Sequence, residues 1–236
     1  MSNLIRNALL VVVLAVPALA QASSPSERDE AYFTVGAVEV HEVGVEDGED
    51  APMTGFALED GNPLDDLNDA KIAIDTIINI GKEVWKIIEA NKPVVNQRFD
   101  VAHALPQGIQ SAFALEAWQS PKSRVFRTFY KNLYGANVVD FTFRVLYTYG
   151  GSLAGKGAYL TNVTVLPAEL NVAWGYTFEA EGVVPSILNV GTSADPVAGM
   201  SLDLKWKVVT VMKHHERTQS FFIRGDGAFE NLSDGN

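Results

Sequence analysis

The chain predicts a mainly β protein: an antiparallel β-sandwich of about eight strands with one N-terminal amphipathic α-helix packed on it. Three observations carry that expectation. Beyond Pro93, apolar residues recur at every second position in run after run, and Gly, Pro, Asn and Asp punctuate the gaps between runs. Residues 67–91 are the single long stretch whose apolar positions recur instead at a helical period. The polar alternates within the runs give each strand one wet and one dry face, as antiparallel sheets allow and buried parallel sheets do not.

Residues 1–20 read as a secretory signal peptide. Arg6 stands in a short polar start, an apolar run follows, and Ala18-Leu19-Ala20 forms a small-residue cleavage site before Gln21. The apolar run is too short for a permanent membrane anchor. The expected address is export, to the periplasm or the exterior. The whole chain contains no cysteine, which removes disulfides, thiolate zinc sites and cysteine nucleophiles from consideration.

Residues 21–66 form an acidic arm, expected to be only partly ordered. The net charge of −11 is concentrated there: residues 21–69 hold 14 Asp and Glu against the lone Arg28, whereas residues 70–236 hold 16 basic and 15 acidic residues. Within the arm Phe33, Val35 and Ala37 alternate, which suits a short strand docked on the main sheet, although a removed prosegment has the same composition. Asp60-Gly61-Asn62-Pro63-Leu64-Asp65 resembles a calcium loop in composition. It misses the EF-hand pattern, with Asp65 at the sixth position where glycine is needed and Lys71 at the twelfth where glutamate is needed.

Residues 67–236 are expected to make the folded domain, opening with the helix. On a helical wheel of residues 67–91, Ile74, Ile77, Ile78, Val84, Trp85, Ile87 and Ile88 share one side; Lys71, Asp75, Lys82, Glu83, Lys86 and Glu89 share the other. Asp66 or Asn68 caps the start and Pro93 stops the end. Ile77, Ile78, Trp85 and Ile88 become candidates for contact with a membrane or a partner. The mixed charge of the polar face gives no pull toward anionic lipid, so a core helix is the favoured reading.

The strongest strand runs are Val139 to Tyr149, then Val172, Trp174, Tyr176, Phe178 and Ala180, then Met200 to Val208; weaker runs cover 98–105, 109–118, 124–133, 159–166 and 220–224. Most tryptophans and tyrosines fall inside these runs and are expected in the core or on a sheet surface. Trp118 and Tyr134 instead border turn signals at Pro121 and Gly135, which makes them the candidates for an exposed binding edge.

Catalytic patterns are thin, and no residue is singled out as catalytic. No G-x-S-x-G, H-E-x-x-H or glycine-rich phosphate loop occurs. His214-His215-Glu216 puts neighbouring side chains on opposite faces of a strand and so converges on no metal. Glu179 and Glu181 share a strand face, the minimum for a carboxylate pair. Arg224-Gly225-Asp226 spells the adhesion tripeptide but reads first as a strand exit with glycine turn chemistry. No cofactor or metal is called for, and no basic stripe supports nucleic-acid binding. The leading functional expectation is an exported, non-catalytic binding or interaction protein with an unidentified ligand or protein partner. The alternatives are a membrane-acting, pore-forming toxin that deploys the helix of residues 67–91, and a β-sandwich hydrolase.

Overall fold

The structure is a computed structural model, and it describes residues 25–47, 72–94 and 100–233. The expected signal peptide, the calcium-loop candidate and the first residues of the expected 67–91 helix lie outside them. One helix opens the described chain, α1 (Pro25–Phe33), followed by twelve strands. These are β1 (Val35–Asp47), β2 (Ala73–Asn79), β3 (Val84–Glu89), β4 (Lys92–Pro93), β5 (Ala102–Gln107), β6 (Lys122–Asn132), β7 (Asn137–Leu153), β8 (Lys156–Val172), β9 (Tyr176–Asn189), β10 (Ala198–Thr210), β11 (His214–Arg224) and β12 (Phe229–Asn231).

The strands form two six-stranded sheets, ordered β1-β6-β7-β8-β5-β2 and β12-β11-β10-β9-β3-β4. Neighbouring strands pair antiparallel throughout. The expected mainly β, two-sheet antiparallel architecture with an N-terminal helix is therefore present, with more strands than the runs suggested. Alternation explains how the sheets close on each other. Phe141, Phe143, Val145 and Tyr147 of β7 and Met200, Leu202, Leu204, Trp206 and Val208 of β10 all point inward and are buried, as period-two patterning requires. Rings meet across the gap, Phe126 against Phe221 at 4.8 Å and Phe141 against Phe178 at 5.0 Å between centroids. The Trp206 indole N–H donates to the buried Tyr130 hydroxyl at 2.7 Å, so these two polar groups of the core satisfy each other.

The helix stands elsewhere than residues 67–91. That stretch, where described, folds as β2, a turn at residues 80–83, and β3, which joins one sheet to the other. Gly81 sits at φ 139°, and a Cβ there would meet the Val101 carbonyl oxygen at 2.4 Å, so the chain turns where only glycine fits. The register of β3 on β9 slips between Lys86 and Ile88, and Trp85, Ile87 and Ile88 are all buried. A bulge thus turns two successive isoleucines inward and imitates helical spacing. β-branched isoleucine favours the strand, and packing supplies the rest.

Three other expectations are revised. Residues 109–118 make no strand; they hold a single 3-10 turn, Ala112–Ala114, and one bridge, Glu116 to Ser152. The run from Val172 to Ala180 is broken by a turn at residues 173–175 between β8 and β9. Within the acidic arm, β1 docks along β6 from Val35 to Asp47, longer than the short strand expected, and α1 precedes it.

Candidate functional site

One end of the sandwich is built differently from the rest of its surface. The turns joining β6 to β7, β8 to β9 and β10 to β11 emerge there, and α1 lies among them. Pro25 opens α1, where a missing N–H costs nothing, and Glu27 stands in its first turn. Nine residues are too few to hold a helix alone, so α1 depends on its neighbours.

Those neighbours are the three turns. Leu133 donates its backbone N–H to the carbonyls of Ala31 and Thr34, and the Tyr134 hydroxyl donates to the Arg28 carbonyl at 3.1 Å. The Tyr32 hydroxyl donates to the Trp174 carbonyl at 3.0 Å, and the Tyr176 hydroxyl donates back to the Tyr32 carbonyl. Burial at that contact pushes the Tyr176 hydroxyl up to about 12, so it stays protonated and available as a donor. Thr210 donates to the Phe33 carbonyl at 3.3 Å. Phe33 itself is buried among Tyr32, Trp174 and Tyr176, at 4.9, 6.3 and 6.1 Å between ring centroids. Gly175 leaves room for its ring: a Cβ there would meet Phe33 at 2.6 Å.

This anchoring leaves large apolar side chains standing in water. Trp174 is 83% exposed and Val211 80%, while Leu133, Tyr134 and Met212 are about half exposed. Five of the twelve exposed large hydrophobic residues among those described therefore occupy three adjacent turns. Scattered single apolar residues are ordinary on a surface; a cluster fixed by hydrogen bonds and ring packing is the kind that marks an interaction site.

The two sequence candidates for a binding edge separate. Tyr134 belongs to this end. Trp118 lies at the other: its indole N–H donates to the Ala112 carbonyl at 3.1 Å, and its ring covers Gly151, near the far end of β7. Along β7, the span from Asn137 to Gly151 is about 45 Å at strand rise. Ile77, Ile78, Trp85 and Ile88 lie on β2 and β3 instead of a helix face, with Trp85 and Ile88 buried and Ile77 and Ile78 at the edge of the first sheet. Trp174 escaped sequence reading because its alternation with Val172 and Tyr176 continued through the turn. The following Gly175, at φ 80°, was the available signal.

A second surface feature is a shallow groove of about 250 Å³ on the outer face of the second sheet. Strand register makes it a checkerboard of charge, with Lys205 opposite Glu181, Lys207 opposite Glu179 and Glu216, and Lys86 opposite Glu181. The Lys207 ammonium lies 2.9 Å from the Glu179 carboxylate, which holds the lysine above its usual range. Glu179 and Glu181 thus share a face as expected, but each is set beside a lysine. The groove is a compensated wet face, as cross-strand pairing favours.

Other sequence candidates take structural places. Arg224 closes on Asp226 at 2.5 Å, and a Cβ on Gly225 would strike the Ala158 carbonyl oxygen at 2.0 Å, so the tripeptide is a packed strand exit. His214 and His215 open β11. Among the described residues no three His, Cys, Asp or Glu converge on a metal position, and no helix is long and apolar enough to cross a membrane.

The fold and this end define the class: a two-sheet antiparallel sandwich whose turns present a fixed apolar and aromatic tip. No family model, curated protein or solved structure matches the chain.

Proposed function

We propose that the protein is an exported, non-catalytic binding protein of the β-sandwich class, and that its working surface is the end carrying α1. One observation supports this reading above others: Leu133, Tyr134, Trp174, Val211 and Met212 stand exposed on three adjacent turns that α1 ties together. Keeping such side chains in water forgoes roughly 25 cal/mol for each Å² of apolar surface left unburied. The anchoring of α1 spends hydrogen bonds and buried rings to hold them there. The chemistry on offer is apolar and aromatic contact with hydroxyl and indole groups at its margin, suited to an apolar or amphipathic target.

Retention on octyl-substituted beads at physiological salt tests it. The mature protein is expected to bind the beads, and a Trp174→Ser/Val211→Ser variant to pass through. Both positions lie on turns and are largely solvated, so circular dichroism of the variant should match the native protein. Equal retention of native and variant proteins, or no retention of either, would contradict the assignment.

A further inference from the structure

We infer that the target of this end is the interface of a phospholipid bilayer with net-neutral, zwitterionic headgroups, entered shallowly by the turn residues. The inference rests on the α1 end being the working surface, and three observations carry it further.

The first is how far the side chains protrude. Trp174 and Val211 are 83% and 80% exposed, so most of each side chain stands in water even though the Trp174 ring borders Phe33. A rigid protein partner would need a socket moulded to each, whereas the acyl boundary of a bilayer yields to any shape. The second is chemical type. Trp174 and Tyr134 pair an apolar ring with a polar group, the combination that settles at headgroup depth, and Val211, Met212 and Leu133 supply the purely apolar surface that goes slightly deeper. The Tyr134 hydroxyl is already held by Arg28, so the ring is aimed before any contact is made.

The third is charge. On α1 and the neighbouring turns, the exposed carboxylates Glu27, Asp29 and Glu30 outnumber the exposed cations Arg28 and Lys213. A surface that docks on anionic lipid carries a basic excess, worth roughly 1 kcal/mol for each lysine or arginine near the membrane. This end has none. An uncharged interface is the surface it complements, and binding there is driven by the apolar contact alone.

The test is flotation of the full mature protein with vesicles of phosphatidylcholine, and separately with vesicles of phosphatidylcholine mixed with phosphatidylglycerol, each at low and high salt. The expected result is binding to both, undiminished by salt. The Trp174→Ser/Val211→Ser variant should bind about tenfold or more weakly, having lost two of the five side chains that leave water. Trp174→Tyr should keep most of the affinity, because tyrosine shares the interfacial preference. Failure of the native protein to float with either vesicle, while octyl beads still retain it, overturns the bilayer and leaves an apolar protein partner for the same surface. Binding only to anionic vesicles, abolished by salt, or unchanged binding by the double variant, overturns it as well.

Discussion

At the scale of single residues, the structure sorts polar groups by whether burial is compensated. His103 on β5 is largely buried, its Nδ1 2.7 Å from the Thr161 hydroxyl, and burial lowers its pKa to about 4. In the unfolded chain the same group titrates near 6.5. Between these values the unfolded chain takes up a proton that the native protein refuses, so stability is full above about pH 6.5 and falls as the pH drops toward 4, by on the order of 3 kcal/mol. Denaturant titrations of native protein and His103→Gln across that window measure it: the native curve should fall more steeply than the variant's. Parallel curves would show that His103 is not the group responsible. The same scale explains what sequence could say of the α1 end. Tyr134 was legible because Gly135 marks a turn directly after it. Trp174 was not, because Val172 and Tyr176 on either side kept the alternation intact across residues where the backbone had left the sheet.

At the scale of elements, alternation was a reliable guide wherever a strand is regular. β7 and β10 read directly from their inward rows because one buried face forces a strict period of two. β3 misled because its bulge places Ile87 and Ile88 both inward, and β2 because its register on β5 shifts between Ala73 and Ile77. Irregular strands lose the very period that identifies them. α1 was missed for a different reason. Its sequence, PSERDEAYF, has a weakly patterned face, and the tertiary anchors at Tyr32, Phe33 and Ala31 make it a helix. Removing the buried ring at its C-terminal end should therefore release it. Phe33→Ala is expected to cost about 3 kcal/mol of global stability, the usual range for a buried phenylalanine. It should also raise amide hydrogen exchange through α1 and the β8–β9 turn first. Exchange unchanged at that turn would mean that α1 and Trp174 are not mechanically linked.

At the scale of the whole molecule, the sandwich has unlike ends. The far end carries the β7–β8 turn, the closed Arg224-Gly225-Asp226 exit and the tied-down Trp118; the α1 end carries the exposed turns. The alternation that revealed the two-sheet architecture could not reveal this polarity, because which turns gather at one end depends on strand order, and strand order is set by long-range pairing such as β1 on β6 and β3 on β9. The pore-forming alternative loses the helix it required, since the described part of residues 67–91 is strand.

Tryptophan placement provides a direct reading of the proposed bilayer contact. Of the four tryptophans, Trp85 and Trp206 are buried, Trp118 is packed over Gly151, and Trp174 alone stands in solvent. Quenching of the intrinsic fluorescence by phosphatidylcholine brominated along its acyl chains therefore reports the depth of one side chain. The account predicts clear quenching of the native protein on these vesicles and nearly none for Trp174→Phe, whose remaining indoles stay away from the lipid. Vesicle-bound protein with unquenched emission, or with quenching that survives the loss of Trp174, would place the contact on another face and contradict the account.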